Sequence, residues 1–333
     1  MNSSRQDEHE TLETLFKNVD LSIAQQQLLG CYHTTGPGRP PRNPIGILRA
    51  LLVMRMKGIR SLRELTRILD VDQRIRRLCL IKKNENGYPR SVISRFTHRV
   101  GAETLRLIIE EKVIMLLRRS GVGEVDVVLD ASFIKAWSIR DPTDNQIGLS
   151  DPDARVGRNG RSYGLGYKLH TSVDPKRILP LATLLASANE NEKRHASTLV
   201  KRTRLVLSRA GVKLRSLIAD SQYSSRKVRS LVEHAVIPYM SNQRCGEDAL
   251  RVDRLFRTHG PEDLVEVYRR RPAVEALFAF VKNQYGLTVN RVRGLAKVGV
   301  YSLLSVLCLV LNREAAENVG RPDKALSPTF FNV

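Results

Sequence analysis

Apolar residues recur every three or four positions through the first third of the chain, which predicts helices. Residues 1–30 predict a mildly acidic helical arm. A linker follows at 34–44, where the sequence TTGPGRPPRNP is dense in proline and glycine. Helical spacing then returns from about residue 45 to 119 and predicts a block of packed helices.

The helical block contains a helix–turn–helix pattern at 61–79. Its two apolar-spaced segments are separated at Asp70–Val71, where we expect a short turn. Two further helices follow, and Gly101 and Gly121 stand where these helices should stop. This pattern is typical of a small module that docks on a DNA duplex.

Beyond Gly121 the apolar period changes to two, which indicates β-strands. The segment EVDVVLDASFIKAW at 124–137 is rich in valine and predicts the first strand. The later elements, in chain order, are two strands at 163–189 with a turn at Asp174–Arg177, a helix at 192–211 closed by Gly211, a strand at 214–220, a helix at 224–236, a strand at 237–243, a helix from near 270 and an apolar helix near 298–316. Such a mixture predicts an α/β fold with a central sheet covered by helices.

The charge of the chain predicts a protein that binds a polyanion. The 333 residues carry 55 Lys and Arg against 34 Asp and Glu, a net charge of +21. Residues 39–99 hold sixteen of the cations and four of the acids. The helical block can therefore grip DNA through its phosphates. The alternative is that these cations form an ordinary solvated face.

Composition disfavours several other classes of protein. The longest apolar run, at 298–312, is short for a membrane span and contains two serines, so we expect a buried helix there. The first ten residues have no apolar secretory core. Four scattered cysteines suggest neither a disulfide framework nor a zinc motif. We expect a cytoplasmic, nucleoid-associated protein without a membrane partner.

Three carboxylates stand out because each interrupts an apolar element. Asp130 lies in the first predicted strand, Asp220 ends the strand at 214–220, and Glu275 lies in an apolar helix. A buried carboxylate is costly unless it is paired or binds a metal. Carboxylate oxygens suit Mg²⁺ or Mn²⁺, and two such ions can promote cleavage of a phosphodiester. The three acids therefore predict a two-ion catalytic site.

Each acid also has a structural interpretation. Asp126 shares a strand face with Asp130 and could be the true member of the site. Asp220 could cap the element that follows it. Glu275 could pair with Arg271, four residues earlier.

The helix that carries Glu275 has a polar stripe. At about 100° per residue, Tyr268, Arg271, Glu275 and Lys282 fall on one side, and apolar residues fall on the other. Pro272 is tolerated only in the first turn of a helix, so the helix begins near 270 and Tyr268 lies just before it. Glu275 therefore shares its side with two cations and an aromatic ring, and this side faces something anionic.

This stripe resembles the Y-R-E-K signature of DDE transposases encoded by prokaryotic insertion sequences, those of families four and five in the usual scheme. The intervals between its four residues are two, three and six residues. VVLDASFIKAW is similar to the segment around the family's first aspartate, and LIADSQYSS to the segment around its second. GRPPRNPIGILRALLVMRMKGIRSLRELTRIL also resembles the family's N-terminal helical region, so the resemblance covers about residues 36–312.

The resemblance implies an RNase H-like catalytic domain, a mixed sheet flanked by helices, behind an N-terminal all-helical DNA-binding domain. Asp130, Asp220 and Glu275 would hold the metal ions and catalyse cleavage at the element's ends, and the freed 3′-hydroxyl would attack target DNA. The implied partners are double-stranded DNA with terminal inverted repeats, target DNA and a second copy of the chain in a synaptic complex. Only 54 residues separate Asp220 from Glu275, so the large strand-rich insertion of some relatives is absent.

The resemblance also implies DNA contacts by Tyr268, Arg271 and Lys282 near the transposon end. We expect further DNA contacts from six arginines of the helical block: Arg63, Arg67, Arg74, Arg76, Arg77 and Arg95. The expected domains are a helical arm at 1–35, a helix-turn-helix-like DNA-binding domain at 36–120, the catalytic domain at 121–316 with a short insertion at about 240–265, and a tail at 317–333.

Two rival functions use the same features. A non-catalytic DNA-binding regulator would have lost one or more acids, yet all three are present. A structure-specific nuclease would share the metal chemistry without strand transfer. Two residues also stay open: His170 could approach the site but fits a plain sheet position better, and Trp137 could contact a base or lie in the core.

Overall fold

The computed structural model describes residues 2–32, 41–238, 266–288 and 291–327, with side chains from residue 10 onward. The described α-helices are α1 (Asn2–Lys17), α2 (Ser22–Leu29), α3 (Pro44–Met56), α4 (Leu62–Val71), α5 (Gln73–Leu78), α6 (Arg90–Arg119), α7 (Glu192–Ala210), α8 (Arg226–Arg229), α9 (Pro272–Asn283) and α10 (Leu295–Asn318). The described strands are β1 (Glu124–Lys135), β2 (Ile147–Gly148), β3 (Asp151–Asn159), β4 (Ser162–Asp174), β5 (Leu179–Ser187), β6 (Lys213–Ala219) and β7 (Ala235–Val236).

The chain packs into two compact units. One contains residues 1–112 and 280–333, and the other contains residues 113–279. These units cut across the domain ranges expected from the sequence, because α10, which ends the expected catalytic range, packs against α3. The four expected ranges stay predictions about function.

Capping residues define the helix boundaries in the first unit. Asn43 accepts hydrogen bonds from two backbone N–H groups at the start of α3. Asp72 ends α4 and caps α5, so the turn expected at Asp70–Val71 lies slightly later. Gly101 has a φ of 63°, which favours glycine, and it divides α6 into two helical segments. The stop expected at Gly101 is therefore confirmed as a sharp break.

Helix α10 is almost entirely buried. It packs against α3 and α1, and it extends the predicted apolar run to 24 residues. Among the described helices it is long and apolar enough to cross a membrane, yet 83% of its most apolar window is buried within the protein. Such burial is typical of a core helix, as the sequence predicts.

Two cations in the first unit are committed to the core. Lys112 and Glu314 form an ion pair of 2.8 Å, and both side chains are fully buried. The Arg55 guanidinium donates hydrogen bonds to the Ser305 hydroxyl at 2.9 Å and to the Gly286 carbonyl. Buried cations need such partners to offset their lost hydration. These two residues are therefore structural and do not contribute to a DNA-binding surface.

A mixed sheet organises the second unit. Its seven described strands follow the order β2-β3-β4-β1-β6-β7, and β5 pairs with the second half of β4. Strand β1 runs antiparallel to β4 and parallel to β6. Helix α7 packs against β4, β5 and β6. A mixed sheet with flanking helices fits the RNase H-like domain that the resemblance implies.

The central strand β1 is covered on both faces. Its residues Val125–Leu129 are continuously buried. A strand covered on both faces carries a continuous apolar run instead of a strict alternation. The carboxylates that interrupt this run therefore lie in an environment where an unpaired charge is costly.

Strands β2 and β3 were not expected from the sequence. Strand β3 reads DPDARVGRN and pairs antiparallel with the first half of β4. It carries charged and small residues where an amphipathic strand would have apolar ones, and Ala154 and Gly157 are among the few residues it buries. Backbone pairing with the long strand β4 holds it in place, and a periodicity search does not detect such pairing.

The helix expected at 224–236 is wrong over most of its length. Helix α8 covers four residues, and the chain then turns into β7. The carbonyl of His234 already accepts a hydrogen bond from the Leu217 N–H at 2.8 Å, so this segment is held at the sheet beside β6. Strand β7 ends at Val236, just before the strand expected at 237–243, and residues 237 and 238 are not part of a strand. Residues beyond 238, including the insertion at about 240–265, lie outside the described residues.

Candidate active site

Strands β1 and β6 bring two of the three predicted acids side by side. Their parallel register pairs Leu129 with Ala219. The next residues are Asp130 and Asp220, which therefore occupy neighbouring positions where β6 ends. Neighbouring strands lie about 5 Å apart. The convergence expected for Asp130 and Asp220 follows directly from this register.

The Asp130 carboxylate is largely buried, with 15% of its side chain exposed. Its Oδ1 accepts a hydrogen bond from the Ala131 N–H at 2.8 Å, and its Oδ2 lies 3.5 Å from Nη2 of Arg271. Burial raises the pKa of Asp130 to about 7; the charges of Asp220 and Glu192 act in the same direction, and Ala131 and Arg271 oppose them. Asp130 therefore holds a proton more readily than an ordinary aspartate does unless further positive charge is supplied.

Asp220 caps the element that follows it, as one interpretation of the sequence suggested, and it lies beside Asp130. Its Oδ1 accepts a hydrogen bond from the Gln222 N–H at 2.9 Å and caps the short 3₁₀ helix Ser221–Tyr223. Burial raises the pKa of Asp220, and the charge of Glu192 adds to this rise. The cap fixes the orientation of the Asp220 carboxylate beside Asp130.

Arg271 connects the third acid to the first. Helix α9 begins at Pro272, two residues after the start predicted near 270, and places Glu275 in its first turn with 58% of the side chain exposed. Nη1 of Arg271 lies 2.7 Å from Oε1 of Glu275, while Nη2 reaches Asp130. The predicted Arg271–Glu275 pair is present, and the same guanidinium bridges Glu275 to Asp130.

The other two signature residues lie at either end of this helix. Tyr268 is half-buried just before α9, and burial raises the pKa of its hydroxyl. Lys282 lies on α9, seven residues after Glu275, and burial lowers the pKa of its ammonium group. The predicted apolar side of the helix is buried at Val274 and Leu277. By packing, Lys282 belongs to the first unit and Tyr268 to the second.

Asp126, the alternative to Asp130, is an anchor for two arginines. Arg215 donates to its Oδ1 at 2.8 Å, the Ser216 hydroxyl donates at 2.6 Å, and Arg270 donates to its Oδ2. Burial acts to raise the pKa of Asp126, but these hydrogen bonds outweigh burial and lower it. Asp126 and Asp130 thus hold the consecutive residues Arg270 and Arg271, which attach the start of α9 to β1.

A fourth carboxylate, not expected from the sequence, belongs to this environment. Glu192 is the first residue of α7, and its Oε1 lies 2.9 Å from Nζ of Lys168 on β4. Its charge raises the pKa values of Asp130 and Asp220. The buried hydroxyl of Tyr223, whose pKa responds to the same acids, has no hydrogen-bond partner in the described part of the chain. In the sequence, Glu192 reads as an ordinary acidic residue in the first turn of a helix.

The remaining candidates separate into structural and exposed residues. His170 is buried, its ring centroid is 4.6 Å from that of His195, and burial lowers its pKa to about 3. It is therefore a neutral sheet histidine. Trp137 is 49% exposed and lies at the surface. Arg76 donates hydrogen bonds to backbone carbonyls at Leu69 and Glu85, so its guanidinium stabilises the turn after α5. The other arginines predicted to bind DNA are exposed: Arg63, Arg67, Arg74, Arg77 and Arg95.

Comparison with protein families gives this arrangement a chemical meaning. A family model described as "Transposase DDE domain" matches residues 122–311, more than half of the chain. The chain belongs to the DDE transposase family. A second model, described as "Transposase domain", matches residues 2–99 of this transposase.

Two solved structures are similar to the transposase at low identity. A piggyBac transposase in a synaptic complex with hairpin DNA is 9% identical, with a TM-score of 0.43, over 96% of this chain and 78% of that chain. The Mos1 transposase in a paired-end complex with a left transposon end is 14% identical, with a TM-score of 0.23, over 76% of this chain and 82% of that chain. Both TM-scores are below 0.5, so neither structure supports an argument here. A comparison with curated proteins finds no match.

DDE transposases use divalent metal ions, and the donor set of this transposase fits such an ion in part. Asp130 and Asp220 offer carboxylate oxygens on neighbouring strands, and their raised pKa values show that the site is short of positive charge. Oxygen donors of this kind suit Mg²⁺ or Mn²⁺. In the described residues, no three His, Cys, Asp or Glu side chains lie close enough to enclose an ion. Asp130 and Asp220 thus lie side by side, while Glu275 is joined to Asp130 through Arg271.

Replacing Asp126 by asparagine tests the strand register of the transposase. We expect Asp126→Asn to lower the free energy of unfolding by about 2 kcal/mol, because it weakens the charged hydrogen bonds from Arg215 and Arg270. Metal-dependent cleavage should stay within a few-fold of wild type at temperatures where the variant is folded. Thermal unfolding and a cleavage assay measure both quantities.

The matched control is Glu266→Gln. Glu266 also pairs with Arg270, at 3.7 Å, but it is exposed, so its loss should cost little stability. Loss of cleavage in Asp126→Asn with an unchanged melting temperature would instead place Asp126 in the catalytic site.

Proposed function

We propose that this transposase cuts DNA at the terminal inverted repeats of an insertion sequence and joins the freed 3′-hydroxyl to target DNA. It acts as a metal-dependent endonuclease and polynucleotidyl transferase, with Asp130, Asp220 and Glu275 holding two Mg²⁺ or Mn²⁺ ions. The observation that carries this proposal is the adjacency of Asp130 and Asp220 at the end of β6, within the matched DDE domain.

The chain's own residues provide a prepared set of oxygen ligands. When bound, the divalent ions would activate the attacking oxygen and stabilise the leaving oxygen of a phosphodiester. The Asp220 carboxylate is held by the cap at Gln222, and the Asp130 carboxylate is held by the Ala131 N–H. Arg271 keeps the exposed Glu275 carboxylate attached to Asp130. Little reorganisation of these two aspartates is needed for them to bind a cation, which favours catalysis.

Cationic side chains near these acids can hold the DNA. Arg271 and Lys282 lie on the predicted polar stripe with Glu275, and both can bind backbone phosphates; Tyr268 adds an aromatic ring for the DNA backbone or an unstacked base. The exposed arginines of the first unit add contacts to the duplex. A homodimer would bring two element ends together in a cytoplasmic, nucleoid-associated complex.

Cleavage of an element end is the experiment that tests this function. The DNA that flanks the gene supplies a labelled duplex spanning one end of the element. With Mg²⁺, the full-length protein should produce a break with a 3′-hydroxyl at the element boundary, and adding a target plasmid should yield joined products. Cleavage without joining would favour a structure-specific nuclease. Binding without cleavage in Mg²⁺ or Mn²⁺ would favour a regulator.

Replacing Arg271 by glutamine should reduce cleavage by at least about tenfold, since one charged contact to the reacting region is lost. The melting temperature should change by a few degrees at most, because Glu275 is exposed and Asp130 lies 3.5 Å from Arg271. Burial raises the pKa of Asp130, so this carboxyl can bind a proton in place of the lost charge. The matched control is Arg269→Gln, an exposed neighbour with no ion pair in the described residues. A sharp fall in melting temperature with normal cleavage would show that Arg271 is a structural partner of Glu275 and Asp130.

A further inference from the structure

A strongly basic cavity lies in the first unit, and Asp130, Asp220 and Glu275 do not line it. Its volume is about 540 Å³, and none of the described residues that line it is an acid. Six of them are cations, all exposed to solvent: Arg60, Arg63, Arg90, Arg291, Arg293 and Lys297. We call this the basic cavity. So many like charges repel one another, and an anionic ligand would relieve that repulsion.

Three helix N-termini open onto the basic cavity. Ser61 caps α4, Arg90 is the first residue of α6, and Lys297 lies in the first turn of α10. The start of a helix carries a partial positive charge and backbone N–H groups that favour anions. These backbone groups therefore add to the positive potential of the six side chains.

Several of these cations have no internal counter-charge. In the described part of the chain, no ion pair involves Arg60, Arg63, Arg90 or Lys297. The acid nearest in sequence, Glu64, is exposed, and its Oε2 accepts a hydrogen bond from the backbone N–H of Arg60. Lys112 and Arg55 of the same unit, by contrast, have buried partners. Arg60, Arg63, Arg90 and Lys297 are thus placed for an external anion.

We propose that the basic cavity binds the sugar-phosphate backbone of duplex DNA, and that residues 291–297 are part of the DNA-binding surface. The inference rests on the proposed function, which supplies DNA as the polyanion. Two features favour a polymer over a free phosphate. The cavity is larger than one phosphate group needs, and its cations are exposed along the surface instead of enclosing a single anion.

This placement joins the ends of the chain in one binding surface. Arg63 lies at the start of the helix–turn–helix pattern, whereas Lys297 follows the helix that carries Glu275. The two residues are 234 positions apart in the sequence, and the packing of α10 against α3 and α1 helps to bring them into one unit. DNA held here would be bound by the chain segment that immediately follows the catalytic helix α9.

The test compares two double variants of the full-length protein with equal loss of charge. Arg90→Gln/Lys297→Gln removes two cations of the basic cavity. Lys82→Gln/Lys83→Gln removes two exposed cations that do not line it. The probe is a scrambled duplex of about 30 base pairs, since phosphate contacts are independent of sequence. Binding is measured by fluorescence anisotropy over a range of salt concentrations, and melting temperatures confirm that both variants are folded.

We expect the cavity variant to bind at least about tenfold more weakly at low salt, with a log–log salt slope smaller by about 1 to 2, since each phosphate contact contributes about 0.9. The control variant should keep the wild-type slope. If Arg90→Gln/Lys297→Gln does not fold, Arg63→Gln/Lys297→Gln takes its place. The single variant Lys297→Arg keeps the positive charge at this position and should bind the duplex as tightly as the wild type does.

Equal behaviour of the cavity and control variants would overturn the inference. Binding of a free anion alone would also overturn it. In that case inorganic phosphate would raise the melting temperature of the wild type but not of the cavity variant, and the cavity variant would still bind duplex DNA normally. These failures are distinct from failure of the proposed function. In that case the wild-type protein would bind duplex through the basic cavity but would not cleave element ends with Mg²⁺ or Mn²⁺.

Discussion

Asp130→Asn and Asp220→Asn should each reduce Mg²⁺-dependent cleavage of element-end DNA by about 10³-fold, a loss typical of removing one essential catalytic group. An amide keeps the size of the side chain but loses the negative charge that a divalent ion requires. The rate of a single turnover on a labelled duplex measures this loss. Duplex binding should stay within a few-fold of wild type, because neither side chain contributes positive charge to the DNA-binding surface.

The control for these variants is Glu233→Gln, which removes an acid that is 90% exposed and pairs with His234 at 4.0 Å. It should cleave at the wild-type rate. Glu275→Gln should lose cleavage as the two aspartate variants do. Near wild-type cleavage by any of the three site variants would remove that residue from the catalytic set.

The second large effect concerns stability and pH without added metal. Burial raises the pKa of Asp130 to about 7 from 3.8. A raised carboxyl pKa means that the folded state binds the proton more tightly than the unfolded state. Asp130 therefore destabilises the fold progressively as the pH rises from about 4 to about 7. Above that range the loss of folding stability is complete. At about 1.4 kcal/mol per pKa unit, the upper limit is about 4 kcal/mol.

Asp130→Asn should remove this penalty. The variant and the wild type should have similar melting temperatures near pH 4, and the variant should be more stable by several degrees at pH 8. Mg²⁺ at pH 8 should raise the melting temperature of the wild type more than that of the variant, because the ion binds the folded carboxylates. A difference in melting temperature between variant and wild type that is independent of pH and of Mg²⁺ would show that Asp130 is not a buried carboxylate that lacks nearby positive charge.

The three candidate acids could be singled out because local sequence carries their signal. Asp130 interrupts a valine-rich strand, Asp220 ends a short apolar strand, and Glu275 interrupts an apolar helix. The start of α9 could be predicted to within two residues, because proline is confined to the first turn of a helix. The parallel pairing of β1 with β6 then brings Asp130 and Asp220 next to each other.

The partners of these acids could not be predicted, because they depend on contacts between distant segments. Arg270 reaches Asp126 across 144 residues, and no periodicity indicates which of the three consecutive arginines does so. Glu192 looks like an ordinary first-turn acid until the fold places Lys168 beside it. Strand β3 lacks an apolar alternation and depends on β4 for its backbone pairing. The basic cavity likewise exists only once α10 packs with the N-terminal helices.

The central claim is that Asp130, Asp220 and Glu275 hold the divalent ions, and iron-directed backbone cleavage tests it most directly. Fe²⁺ replaces Mg²⁺ in oxygen-ligand sites, and with ascorbate and peroxide it generates hydroxyl radicals that cut the nearby protein backbone. With element-end DNA bound, the full-length protein should be cut next to residues 130, 220 and 275. Excess Mg²⁺ should suppress these cuts, and Asp130→Asn and Asp220→Asn should abolish them. Cuts confined to other segments, or cuts that persist in both variants, would contradict the account.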